Sequence, residues 1–505
     1  MRPSYAFPHN SDQLSVGPLA RLRAGLLAAP IVGLMLGLSM WAPASDAGGR
    51  IDLPDFGDSA GAIISPEQEV RIGEQFMREV RRRAPLVTDP ELNAYIQTLG
   101  DSLTEHVDYH HGFTFFLIDR DEVNAFAVPG GFVGVHTGLI LNSEDESEVA
   151  SVLAHEVVHV TQRHSIRGFE AQQNMTIPSI VGMLGAVMLT AVNPQAGTAA
   201  LAGLQAMQVQ SQLNFTRANE QEADRIGIRL LSEADYEPEA MARFFERLKS
   251  ANRYNDPGYV PEYLRTHPVT INRIAEARDR AARMPANPRE SSLDYQHAWA
   301  KIKAYSYDQP PAAVRYFETR ISEQSYRHPE AARYGLAIAL MRAGQPERAI
   351  ALVEQLLNTH PNYVSYYLLA ADIARDVGDF ALARTMYEQA LLRSEDNRAA
   401  IYGLADLLTK TGDPAHARRL LRDFSFRQTP DLPYYRLLAN AEGETGDTHA
   451  ARLTMAEYYF HAGEFELARQ QLSELRAGQL EPYQRARIEA RLDEIEQLMS
   501  LEFNG

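Results

Sequence analysis

Hydrophobic and polar positions along the chain change rhythm several times, and each rhythm predicts a kind of element. Apolar residues recur every third or fourth position over roughly Pro66 to Arg83 and Pro90 to His106, the spacing of helices with one buried face. Between His111 and Ile140 the pattern becomes strand-like, in Phe113–Ile118, Asn124–Val128 and Phe132–His136. Pro129-Gly130-Gly131 marks a turn between the last two. The three-four spacing returns after Glu146, at Val149, Val152, Leu153, Val157 and Val160. That predicts a helix with one buried face, capped near Ser143, with acidic residues in the first turn where they suit the helix dipole. From Ile177 to Met207 the chain is almost wholly apolar around Asn193-Pro194-Gln195-Ala196-Gly197, which reads as a helical hairpin with a Pro/Gly tip. Its first arm, 16 residues from Ile177 to Val192, falls short of the ~20 that span a bilayer. The hairpin is expected to fold onto the domain, with peripheral membrane contact through 177–207 as the alternative. Another helix follows, running to about Ser232.

Beyond a linker at Met284–Ser292 the chain repeats. Gly344, Gly378, Gly412 and Gly446 are spaced 34 residues apart, and Ala349, Ala383, Ala417 and Ala451 each follow five residues later. Gly463 with Ala468 gives the same pair at a shorter spacing, and Asp308 to Phe317 reads as a degenerate opening repeat. A small residue at the turn and another at the helix contact, at this period, is the tetratricopeptide pattern. Its inner surface is the expected protein-binding groove, with Tyr366, Tyr367, Tyr387 and Tyr402 as either groove or core residues.

Composition narrows the chemistry. A net charge of −17 argues against nucleic acid as a partner. The longest basic run, Arg81-Arg82-Arg83, looks like a solvated helix face. The chain has no cysteine, which leaves histidines and carboxylates as the ligand inventory and excludes a lipid-anchored start. Arg21 and Arg23 precede an uncharged apolar stretch from Ala24 to Ala42. Residues 1–47 are therefore expected to be a cleaved secretory signal, ending at Ala42-Pro43-Ala44 or Ser45-Asp46-Ala47; an uncleaved inner-membrane anchor is the alternative. The Gly, Pro and Asp-rich stretch after it is expected to be extended.

The candidate chemistry lies in His155-Glu156-Val157-Val158-His159, on the helix after Glu146. One helical turn separates the two imidazoles, so both can reach one zinc ion, and Glu156 beside them can take a proton from the attacking water. Downstream, Glu220 and Asp224 share a helix face. Glu220 can supply the third ligand, leaving the fourth position for water. Asp224 can accept from the far nitrogen of a ligating histidine. Glu222 is expected to face solvent. The small sheet that feeds this helix offers Asn124, Ala125, Phe126 and Ala127 as an edge strand on which a substrate backbone could pair.

His155-Glu156-x-x-His159, Glu220-x-x-Ala223-Asp224 and Arg265-Thr266-His267-Pro268 with Arg273 together resemble the zinc peptidases of the HtpX and CAAX-prenyl-protease clan. A secretory signal in front and helical repeats behind resemble its periplasmic members that serve outer-membrane barrel assembly. The resemblance implies one Zn2+ per subunit held by His155, His159 and Glu220, with Glu156 as general base. It places His267 and Arg273 where they would stabilise the oxyanion. His267 follows a Pro, Gly and Asp-rich loop, Tyr254–Tyr263, which permits a second role as a latch ligand in zinc's fourth position. Unlike the membrane members, this chain has only the short apolar hairpin. Metzincins fit less well, because Gln162 and Ser165 stand where that pattern wants Gly and His, so His164 is not expected to be a ligand.

The expected architecture is an α+β, gluzincin-like zinc metallopeptidase domain with a small sheet over 48–288, then an all-α tetratricopeptide solenoid over 289–505. The expected function is a periplasmic zinc endopeptidase with chaperone-like activity, in quality control and assembly of outer-membrane proteins. Its partners would be misfolded or unassembled outer-membrane proteins and, through the repeats, the barrel-assembly machinery. A scaffold with a latent protease site and a zinc aminopeptidase are the alternatives; no Gly-x-Met-x-Asn exopeptidase element is present.

Overall fold

The computed structural model describes residues 64–170, 209–254, 262–285, 289–478 and 481–503. The expected signal at 1–47, the apolar hairpin at 177–207 and most of the loop before Tyr263 lie outside them.

Helices α1 (Pro66–Arg83) and α2 (Pro90–Thr104) form where the apolar spacing places them. Ser65 opens α1 in a reciprocal capping box with Gln68, and the Asp89 carboxylate accepts from Glu91 N and Leu92 N at the start of α2. Strands β1 (Thr114–Ile118), β2 (Ala125–Val128) and β3 (Phe132–His136) make one sheet in the order β1-β3-β2, with β1 parallel and β2 antiparallel to β3. Side-chain alternation splits β1 between two cores. Phe115 and Leu117 join the main core, while Phe116 and Ile118 pack with Phe76, Met77 and Val80 of α1 on the opposite face. The turn into β3 needs glycine: at Gly131 φ is +85° and a Cβ would sit 2.3 Å from Gly112 O.

The two sheet edges differ. The outer edge of β1 is closed by the preceding chain, where Val87 N donates to Leu117 O and Asp119 N to Pro85 O. The outer edge of β2 has no paired strand among the described residues.

After α3 (Thr137–Asn142) comes α4 (Glu146–Thr161), which carries the two histidines. Two expectations are corrected here. The cap is Asp145, whose carboxylate accepts from Glu148 N at 3.0 Å; Ser143 instead ends α3, its hydroxyl donating to Leu139 O. And α4 is buried all round, not on one face. Small residues such as Ala150, Ser151 and Ala154 fill its polar-looking side, so α2 and the sheet pack on it from one direction and later helices from the other. Those are α5 (His164–Glu170), α6 (Val209–Glu233) and α7 (Ala240–Tyr254); the short α8 (Glu262–Thr266) and α9 (Ile271–Ala281) follow, with α9 packed on α6 and α7. Helix α6 approaches α4 closely at Gly227, where a Cβ would lie 3.4 Å from His155 N.

The repeats begin with α10 (Leu293–Tyr305) and α11 (Pro310–Ser322) and run to α21 (Pro482–Phe503), each helix packing on the next. Gly344, Gly378, Gly412 and Gly446 take φ of +69° to +90° at the turns, as the spacing implies. Tyr366, Tyr367, Tyr387 and Tyr402 are core residues, not groove residues. Their hydroxyls find partners inside: Tyr387 donates to Asp372 and Tyr402 to Asp431.

Helix α10 belongs to both cores. Tyr295, Ala298 and Ile302 pack in the peptidase core, while Ala300 and Ala304 pack with the repeats. Glu146 accepts from Ser292 N and Oγ at its start, and Lys301 Nζ lies 2.6 Å from both the Asp89 and Glu91 carboxylates. The far end of the array returns to α1, where Arg81 donates to His461 O and the Arg78 guanidinium lies over the Phe465 ring. The basic run is exposed, as expected; Arg81 also reaches across to the repeats, while Arg82 and Arg83 pair with Glu79.

Candidate metal centre

The four-residue spacing on α4 brings His155 Nε2 and His159 Nε2 to 3.0 Å from each other. Glu220 comes from α6, with Oε2 3.4 Å from His155 Nε2 and Oε1 3.4 Å from His159 Nε2. His267, just after α8, brings Nδ1 to 3.4 Å from His155 Nε2 and 3.0 Å from Glu220 Oε1. All four donors lie within 4.8 Å of one another. A tetrahedral zinc with N and O bonds near 2.05 Å has its ligand atoms about 3.3 Å apart. The donor set and its spacing fit that ion.

Glu156 is buried beside them, and its Oε1 makes no hydrogen bond within the protein. It faces His267 Nε2 at 3.4 Å. The imidazole of His267 thus stands between the would-be base and the cluster, stacked on the Tyr263 ring at 4.8 Å. Tyr263 is itself buried with an unpartnered hydroxyl, and its backbone N–H donates to Val123 O, next to the edge strand. Strand β2 packs against α4, with Phe126 and Ala127 half-buried and Asn124 buried at its entry.

Carboxylates and a guanidinium hold the cluster from behind. Asp224 Oδ1 lies 3.0 Å from His155 Nδ1. Arg273 donates through Nε and Nη2 to the two oxygens of Asp224, each at 2.7 Å, and through Nη1 to Glu220 Oε2 and Pro268 O. These acceptors take four of the five guanidinium N–H groups of Arg273. Burial works against the charged form of His155, yet Asp224 and Glu220 hold its pKa up at about 9. Burial would raise the Glu220 carboxyl, but His267 and the hydrogen-bonding histidines bring it well below the usual range. For Asp224 burial is likewise outweighed, chiefly by Arg273. Burial lowers the pKa of His159.

Two residues missed by sequence reasoning stand behind His159. His164 Nδ1 lies 2.9 Å from His159 Nδ1, and His164 Nε2 lies 3.2 Å from Glu222 Oε2. Glu222 does not face solvent as expected; its side chain is largely buried under α5. The signal available was His164 itself, one turn beyond the motif; the Glu222 contact crosses a long stretch of sequence.

Among the described residues no helix is long and apolar enough to cross a membrane. The model of peptidase family M48 matches residues 90–281, and tetratricopeptide-repeat models match 304–373, 374–441 and 449–474. The chain is 36% identical over 449 residues to the beta-barrel assembly-enhancing protease of Yersinia pestis, covering 88% of this chain and 92% of that one. It is 36% identical over 485 residues to the protein of the same name from Escherichia coli (strain K12), covering 95% and 97%. A shorter likeness, 31% over 174 residues, links it to the mitochondrial metalloendopeptidase OMA1 of Bos taurus, covering 32% of this chain and 31% of that one.

Proposed function

The chain belongs to the M48 metallopeptidases, within the family of the beta-barrel assembly-enhancing proteases, and from that premise we propose a periplasmic zinc endopeptidase that acts in outer-membrane protein assembly and quality control. The metal is zinc, held by His155, His159 and Glu220. When bound, it supplies the Lewis acidity that makes water nucleophilic and polarises the scissile carbonyl.

The chain's own residues do the rest. Glu156 Oε1, free of any protein hydrogen bond, takes the water proton and returns it to the leaving amine nitrogen. Asp224 Oδ1, 3.0 Å from His155 Nδ1, sets a charge against that side of the ring and favours the orientation with Nε2 towards the cluster. Arg273 orients Glu220 and Asp224 rather than touching substrate. The substrate backbone adds to the open edge of β2, along Asn124, Ala125, Phe126 and Ala127, which suits cleavage tolerant of side-chain sequence. His267 is a latch: its Nδ1 fills the fourth corner of the donor cluster and its Nε2 faces Glu156, so it occupies the place of the attacking water. Swung aside, it is available to the oxyanion.

The observation that carries this reading is the convergence of four donors within 4.8 Å of one another, beside a buried Glu156 whose Oε1 makes no hydrogen bond. The test is casein digestion by the purified chain before and after chelation, with zinc added back. Loss on chelation and recovery with zinc support it; undiminished digestion in chelator overturns it.

A chaperone-like activity alongside proteolysis is favoured by the same latch, which lets the repeats hold a client without cutting it. The repeats take misfolded or unassembled outer-membrane proteins and the barrel-assembly machinery as partners. An exported location reached through a cleaved signal at 1–47 completes this reading.

A further inference from the structure

We propose that His164 and Glu222 form a proton-ordered relay that sets the tautomer and tilt of His159, making them positioning residues for the metal centre. The inference rests on the reading of His159 as a ligand.

Two Nδ1 atoms 2.9 Å apart can bond only if one carries hydrogen and the other a lone pair. His159 turns Nε2 towards the donor cluster, 3.0 Å from His155 Nε2, so a neutral His159 that offers Nε2 to a metal carries its proton on Nδ1. That proton is donated to His164 Nδ1. His164 must then hold its own hydrogen on Nε2, where Glu222 Oε2 waits at 3.2 Å. The same carboxylate oxygen is fixed from the other side by Arg167 Nη1 at 3.3 Å. Every proton in the row from Glu222 to His159 has one place to be. His155, by contrast, meets its carboxylate directly. The two histidines of the motif are thus supported differently: one against a charge, one through a neutral ring.

The backbone is bent to make this contact. Helix α4 ends at Thr161; two residues on, Arg163 takes a left-handed φ of +52°, and α5 restarts at His164 with its ring folded back on His159. Residues other than glycine rarely adopt that conformation. Arg163 is held in place by donating to the Glu69 carboxylate and to Ile64 O. Strain of this kind beside a working site points to a positional need.

The test uses the full chain stripped of metal, with Zn2+ affinity measured against a chromophoric chelator and the Co2+ visible spectrum as a second readout. His164→Leu should weaken Zn2+ binding about 10–100-fold and alter the Co2+ bands. His164→Asn, which restores an acceptor near the Nδ1 position, should recover binding to within about threefold of wild type. Glu222→Ala should weaken binding in the same direction, and adding it to His164→Leu should cost nothing further, because the two act in series. Wild-type affinity and Co2+ spectrum in His164→Leu would overturn the relay. So would equal losses in His164→Leu and His164→Asn with unchanged metal-free melting. Should His164→Leu not fold, Glu222→Ala and His164→Asn decide by the same criteria. If the wild-type chain takes up no metal, the zinc reading falls and the relay with it; metal in the wild type with unaffected variants removes the relay alone.

Discussion

Arg273 grips both oxygens of Asp224 at 2.7 Å, and Asp224 in turn stands 3.0 Å from the ring nitrogen of His155. A guanidinium 118 residues downstream of His155 is therefore linked to that ring through a single carboxylate. Arg273→Gln leaves Asp224 buried without its main cation and takes one hydrogen-bond donor from Glu220. Folding stability should fall by about 3–5 kcal/mol, and zinc affinity by about 10–100-fold. Urea unfolding and chelator competition measure the two; wild-type values in both would remove the steering role.

Glu156→Gln should keep its zinc and lose hydrolysis by at least about a hundredfold, since an amide cannot take the water proton. Elemental analysis and casein turnover are the pair of measurements. Retained turnover assigns the base elsewhere.

His267→Ala opens the fourth corner of the cluster and uncovers Glu156. Basal self-cleavage and degradation should rise several-fold at unchanged zinc content. A zinc-loaded variant with depressed turnover would mean that His267 serves only the oxyanion.

His297, on α10, offers an acid-sensitive joint away from the metal. Its Nδ1 donates to Leu293 O at 2.7 Å and its Nε2 meets Tyr366 OH at 3.1 Å, among the rings of Tyr334, Tyr363 and Tyr366. Burial, with smaller contributions from His328 and His360, lowers its pKa to about 4. The folded value is depressed below the ordinary ~6.5, so the unfolded chain binds the proton more readily. The stability tied to this ring is present above pH ~6.5 and is lost as pH falls towards 4, amounting to about 3 kcal/mol. Urea unfolding of wild type and His297→Gln should show a flatter acid slope in the variant; parallel slopes would sink the assignment.

A chain ending at Arg289 loses Tyr295, Ala298 and Ile302 from the peptidase core, whereas one ending at Ser306 keeps them. The shorter chain should be less stable by at least about 3–5 kcal/mol, the cost of emptying one large aromatic site. Thermal melting and zinc content should separate the two chains. Equal behaviour would put α10 with the repeats alone.

What the sequence revealed was local. Helix α1 begins and ends where its apolar spacing says, since Ser65, Gln68 and Pro66 write the cap into adjacent positions. The strands, their turn and the 34-residue glycines are equally short-range signals. The four-residue spacing of His155 and His159 was legible on one helix, whereas Glu220 and His267, which complete the cluster from distant segments, were expected through the resemblance to the zinc peptidases. What stayed hidden depends on partners far along the chain. Ser151 and Ala154 look like the polar side of a surface helix until α6 and α7 cover them. Glu222 looks solvated until His164 folds back against it, and nothing near Arg81 in the sequence announces its contact with His461. No periodicity in a single segment encodes such meetings.

The seam between Arg81 and His461 joins positions 380 residues apart. Closing so long a loop is entropically slow and waits for nearly the whole chain to be made. Every residue of the metal cluster is in hand by Arg273, and the aromatic plug of Tyr295 arrives soon after. Synthesis from the N-terminus therefore passes through an interval in which the site is assembled but the ring of repeats is still open. His267 Nε2 stands 3.4 Å from Glu156 Oε1, so under the proposed latch the site would stay shut through that interval, before the repeats are complete.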